Sequence, residues 1–169
     1  MKDKEQRFQT IITDYQHMIY RLCCSYIADD QFRKDLYQNI LIRLWKGMDS
    51  FQNHSTIGTW VYRIAVNTSL DFLRKEIKNR TRSIHMDLEN LSISDKSPNQ
   101  EEELLTSEKT ELLYRCINRF SFIDKTIISL YLEDLSYREI AQIVGITEKN
   151  VGVKISRIKK KLNQCLKDM

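Results

Sequence analysis

Glycine and proline are scarce in this chain, with four Gly and one Pro among 169 residues. An all-β fold needs turn residues at short intervals, so that scarcity excludes a sandwich or barrel and points to helices joined by short polar loops. Cysteine is sparse too. Cys23, Cys24, Cys116 and Cys165 show no C-x-x-C spacing and no His stands at ligand spacing beside them, which argues for buried structural thiols rather than a zinc site or a disulfide framework. Long apolar runs are missing: Met1 to Gln9 is charged, without a signal-peptide core, and no window approaches a membrane span. The expected location is the cytoplasm, with no membrane insertion. The signatures G-x-x-x-x-G-K-[ST], H-E-x-x-H and G-x-S-x-G do not occur, so no catalytic residue, no metal and no cofactor is expected.

Charge is present but unevenly spread. Lys plus Arg exceed Asp plus Glu by only 27 to 23. From Tyr137 to Met169, however, eight basic residues stand against three acidic, whereas Asp87 to Glu111 holds eight acidic and two basic. A basic end set apart by an acidic stretch is a partner-binding layout.

Apolar residues, 41% of the chain, recur at helical spacing. Phe8, Ile11, Ile12, Tyr15, Met18, Ile19, Leu22, Cys23 and Tyr26 mark one helix ending near Ala28-Asp29. Leu36, Tyr37, Ile40, Leu41, Leu44, Trp45 and Met48 mark a second, from about Gln31 to Met48. Gly47 and the polar run Gln52-Asn53-His54-Ser55 break the pattern, and Trp60, Val61, Ile64, Ala65, Thr68 and Phe72 restart it in a third helix from about Thr56 to Lys78. Between Arg80 and Gln100 periodicity fades into Ser-rich, acidic sequence with Pro98, the composition of a flexible linker. Glu101, Glu102 and Glu103 suit the first turn of a further helix carrying Leu105 to Phe120, and Ser121 with Asp124 starts a short one. The expected fold is all-α: an N-terminal bundle of three to four helices over residues 1–80, a linker over 81–100 and a C-terminal helical domain over 101–169.

The C-terminal domain carries the most informative motif. Ser136-Tyr137-Arg138-Glu139 has the S-x-x-E spacing of a capping box. Ile140, Ala141, Ile143 and Val144 give the next helix its inner face, and Gly145 supplies the turn. Thr147 then caps a second helix with Val151, Ile155, Ile158 and Leu162 inside and Lys149, Asn150, Lys154, Arg157 and Lys161 outside. A short helix, a Gly turn and a second helix with a basic outer face form a helix-turn-helix, which lays the second helix in the major groove of DNA. Its first residues reach base edges and its later cations neutralise phosphates.

The stretch from Tyr131 to Glu148, followed by Val151 and Arg157, resembles the C-terminal DNA-binding domain of extracytoplasmic-function sigma factors, two-domain initiation subunits of bacterial RNA polymerase. Asp35-Leu36-Tyr37-Gln38-Asn39-Ile40-Leu41-Ile42-Arg43-Leu44-Trp45 is similar to the family's polymerase-binding helix. Thr59-Trp60-Val61-Tyr62-Arg63-Ile64-Ala65-Val66-Asn67, with Asp71, Leu73 and Arg74, is similar to its promoter-melting segment.

The resemblance implies that Asp35, Gln38, Asn39, Arg43 and Trp45 seat the β′ clamp helices of core polymerase. It implies that Asn53, His54, Ser55, Trp60, Arg63, Asn67 and Arg74 engage the −10 element. For the −35 duplex it implies Arg138, Thr147, Lys149, Asn150, Lys154, Arg157 and Lys161. Core RNA polymerase through its β′ clamp helices and β flap, promoter DNA and an anti-sigma factor are the implied partners. Lys149-Asn150 stands where the family often has Gly-Thr, which alters the base-reading end. The competing reading is a conventional helix-turn-helix regulator with an N-terminal dimerisation or sensing bundle; such a protein has no reason to carry the Asp35 to Trp45 and Trp60 to Arg74 patterns.

Overall fold

The computed structural model describes residues 2–51, 55–83 and 108–168, in which seven α-helices and one 3-10 turn account for the regular structure and no strand occurs. Three helices form the N-terminal group: α1 (Lys2–Tyr26), α2 (Asp30–Gly47) and α3 (Ile57–Ser83). Four form the C-terminal group: α4 (Glu108–Ile117), α5 (Phe122–Leu132), α6 (Tyr137–Val144) and α7 (Glu148–Lys167). The third helix continues five residues beyond the expected Lys78, through a stretch with neither Gly nor Pro to stop it. Glu101 to Glu103, and the expected linker after Ser83, lie outside the described residues.

Several starts have a local cause. Asp29 accepts the Phe32 amide at the head of α2, and Ser121 accepts the Asp124 amide at the head of α5. After α2 the chain makes a 3-10 turn, Met48–Ser50, which buries Met48 and brings Phe51 against Trp60 with ring centroids 5.2 Å apart. Gly47 permits this approach, since a Cβ there would stand 3.2 Å from the Trp60 ring.

The C-terminal half of α1 is the centre of the molecule. One side packs on α2 and α3 and the other on α5 and α4. Met18, Ile19, Tyr20 and every residue from Leu22 to Ile27 are therefore buried, including Cys24 and Ser25, which lie off the apolar stripe. A single apolar cluster spans both groups, with Leu36, Ile40, Leu44 and Val61 in one and Ile117, Ile127, Ile140 and Ile155 in the other.

One expectation is overturned. Cys116 of α4 is disulfide-bonded to Cys165 of α7, 49 residues away, with Cα atoms 6.0 Å apart, inside the range a disulfide accepts. Spacing along the chain carried no sign of it because the two helices become neighbours only in the tertiary fold. Cys23 and Cys24 are the buried free thiols.

Candidate nucleic-acid interface

The helix-turn-helix is built by short-range contacts. The Ser136 hydroxyl accepts the Glu139 amide and the Glu139 carboxylate accepts the Ser136 amide at 2.9 Å, a complete capping box. Gly145 ends α6 at φ +77°, the left-handed conformation where a side chain would be strained. The Thr147 hydroxyl then accepts the Asn150 amide and starts α7.

The cap is pH-sensitive. Hydrogen bonds from the Ser136 hydroxyl and amide hold the Glu139 carboxyl below its ordinary value near 4.5. A carboxyl lowered on folding stabilises the fold above its unfolded value, and that contribution disappears as pH falls through the lower folded one. Between neutral pH and about pH 3, the thermal midpoint should fall more in the native chain than in Glu139→Gln, which retains the cap without titrating. Parallel slopes in the two proteins would rule the cap out as a source of acid lability.

On α7 the inner residues Val151, Ile155, Ile158 and Leu162 are buried. Lys149, Asn150, Arg157 and Lys161 are exposed on the opposite face, and Arg138 and Thr147 are exposed beside them. Lys154 differs. Its ammonium sits 2.9 Å from the Asp124 carboxylate, half-buried, and ties α7 to α5. Val153, 44% exposed, occupies the middle of the outer face and drew no notice in the sequence; its signal is a lone apolar residue off the stripe.

In the N-terminal group, Arg63, Asn67 and Arg74 are exposed along one side of α3, while Trp60 and Ser55 are half-buried. Asn53 and His54 lie outside the described residues. Asp35, Gln38, Asn39 and Arg43 are exposed on α2, with Arg43 paired to Asp71 of α3 at 2.8 Å. Trp45 is half-buried, edge-on to Phe8 at 5.2 Å with the Lys4 ammonium over its ring. Ile42, 49% exposed, sits among the polar residues of α2 and was likewise unassigned.

The structure also joins the two groups through a polar seam. Arg21 of α1 grips Glu133, just past α5, with two bonds of 2.5 and 2.6 Å. Ser129 donates to Ser25 at 2.6 Å, Tyr26 and Thr126 share a hydrogen bond of the same length, and Asn118 donates to the Cys24 carbonyl. Arg63 donates to the Gln142 carbonyl of α6 at 3.3 Å, so one cation of the α3 face is held by the helix-turn-helix. A half-open pocket of about 210 Å³ lies along this seam between Met18, Leu22, Tyr62, Tyr114 and Leu130. Burial raises the Tyr62 and Tyr114 phenols, so both stay neutral.

Comparison with known proteins decides what these faces belong to. Residues 11–79 match Sigma-70 region 2 and residues 110–162 match Sigma-70, region 4. The chain is 32% identical over 149 residues to RNA polymerase sigma factor SigV of Bacillus subtilis, covering 88% of this chain and 84% of that one. It belongs to the extracytoplasmic-function sigma factors of RNA polymerase. The ECF RNA polymerase sigma-E factor of Escherichia coli K12 is 27% identical over 168 residues, 96% of this sigma factor and 87% of its relative. The fold matches RpoE, a sigma factor solved with the anti-sigma factor NepR from Bartonella quintana, at a TM-score of 0.74 and 23% identity, over 99% and 98% of the two chains. CnrH, solved with the cytosolic domain of CnrY, matches at 0.67 and 16% identity, over 97% of this chain and 90% of that one.

Membership of this family sets aside the conventional-regulator reading. Region 2 takes in most of α1 with all of α2 and most of α3, and region 4 runs from α4 into α7. Among the described residues no helix is long and apolar enough to cross a membrane.

Proposed function

We propose that the outer face of α7 reads the −35 duplex, that α3 with the loop before it engages and opens the −10 element, and that the exposed face of α2 docks on the β′ clamp helices. The supporting observation is the outer face of α7: Lys149, Asn150, Val153, Arg157 and Lys161 are exposed together on a helix whose other face is buried. Lys149 and Asn150 occupy the first turn, the end of a recognition helix that meets base edges, and Val153 suits a thymine methyl. Arg157 and Lys161 neutralise phosphates. On α2, Ile42 supplies an apolar contact ringed by Gln38, Asn39 and Arg43.

The polymerase performs the phosphoryl chemistry, and this subunit contributes binding and discrimination in the cytoplasm, with no catalytic residue of its own. Core RNA polymerase, including its β flap, promoter DNA and an anti-sigma factor are its partners. An anti-sigma factor would act by holding the seam shut, since Arg63 bonded to Gln142 is withdrawn from the strand it must track. The deciding experiment adds the purified chain to core polymerase and sequences transcripts from genomic DNA. Discrete new start sites are expected; duplex binding without any association with core enzyme would defeat the proposal.

The phosphate assignments separate by salt dependence. Arg157→Ala and Lys161→Ala should each flatten the slope of log affinity against log salt by about 1 on a −35 duplex. Lys154→Ala should leave the slope unchanged and lower stability, because its partner is Asp124. Equal slopes for all three would remove Arg157 and Lys161 from the DNA face.

A further inference from the structure

The four cysteines fall into two chemical classes. Cys23 and Cys24 are buried in α1, where burial pushes the Cys23 thiol far up and the Cys24 thiol up to about 11. Such thiols are inert at neutral pH. Cys116 is fully buried, but Cys165 is only partly buried and lies on the last turns of α7. The Arg119 guanidinium, itself exposed, sits 3.9 Å from the Cys165 sulfur. A partly exposed cysteine with a cation beside its sulfur favours the thiolate, the form that attacks disulfides.

We propose that Cys116 and Cys165 are a reversible dithiol–disulfide modification site, with Cys165 the entry thiol, Cys116 the resolving thiol, and a low-molecular-weight disulfide the oxidant. The Cys165 thiolate, its proton given to solvent, attacks one sulfur of the external disulfide RSSR; that S–S bond breaks and RS⁻ leaves, taking up a proton. The Cys116 thiol loses its proton, attacks the Cys165 sulfur of the mixed disulfide and expels the second RS⁻, which is also protonated. The sum is two protein thiols plus RSSR giving one protein disulfide plus two RSH. A reducing compartment holds the pair as thiols. Oxidation closes a loop that encloses α5, α6 and most of α7, and so clamps the helix-turn-helix by restricting its unfolded chain.

The test equilibrates the full chain in glutathione buffers of graded ratio, alkylates it in denaturant and weighs the intact protein. A reversible passage between four and two modified cysteines is expected, with the unmodified pair mapped to Cys116 and Cys165. The oxidised chain should unfold about 5–10 °C higher than the reduced one. A brief iodoacetamide pulse on the reduced native chain should label Cys165 at least about tenfold faster than Cys116, and Arg119→Ala should slow that labelling severalfold. Cys116→Ser should collect one glutathione, on Cys165. Four thiols in the most oxidising buffer, a bridge that dithiothreitol cannot open in the folded chain, equal melting points, or Cys116 labelled as fast as Cys165 would each overturn the proposal. The labelling pulse uses the native sequence, so it stands even if the serine variant fails to fold.

Discussion

Ile155→Ala should destabilise the C-terminal helices by about 2–5 kcal/mol, the usual cost of emptying a fully buried aliphatic site. Ile155 has no exposed surface and lies on the inner face of α7, in the cluster that includes Ile127, Ile140 and Val151. A group of about sixty residues has little stability to spare, so a loss of that size removes much of it. Urea unfolding followed by circular dichroism gives the number, and −35 duplex binding should fall with it. Val153→Ala, two residues away on the exposed face, should change stability by less than about 0.5 kcal/mol. A small effect at Ile155 would mean that α7 is rotated from the orientation described above.

Glu133→Arg should part the two helical groups. Arg21 would then face a second cation in place of a bidentate carboxylate, a repulsion set against the apolar cluster that spans both groups. The hydroxyl pairs Ser25 with Ser129 and Tyr26 with Thr126 exchange for bonds to water at small net cost. The pair itself contributes about 1–2 kcal/mol after allowance for solvent at Arg21, whose side chain is 35% exposed. A compact chain of this length has a radius of gyration of about 15 Å; small-angle scattering should report a rise of several ångströms. Combining Glu133→Arg with Arg21→Glu restores opposite charges and should return the compact form. If Glu133→Arg alone stays compact, the apolar part of the seam carries the closure and the ion pair is incidental. The same variant frees Arg63 from Gln142, so single-stranded −10 DNA should bind it more tightly than the native chain.

Legibility in the sequence followed the range of the interactions. The capping box at Ser136 and Glu139, the Gly145 turn and the Thr147 cap span four residues or fewer, and their chemistry is visible in the residue types alone. Periodicity likewise told which side of α7 is buried. What it could not tell was which surface covers a given face. Arg21 and Glu133 are 112 positions apart and Lys154 and Asp124 are 30 apart, and nothing in either neighbourhood selects the partner. Lys154 therefore read as one more cation on the DNA face. Cys24 and Ser25 read as off-stripe residues of an amphipathic helix, although the uncharged run from Leu22 to Ile27 was a sign that this end of α1 is enclosed on more than one side. The polymerase- and promoter-facing residues of α2 and α3 came from family resemblance, because an exposed polar side chain has no periodic signature of what it touches.

The double enclosure of α1 has a kinetic consequence. Cys24 is enclosed by both groups: its carbonyl is bonded to Asn118 and its thiol lies near Tyr114 on one side, with the Arg33 guanidinium of α2 near it on the other. If the halves come apart, Cys24 loses the part of its cover that Asn118 and Tyr114 provide. The rate at which Cys24 reacts with an alkylating reagent is then a clock for the parting of the two helical groups.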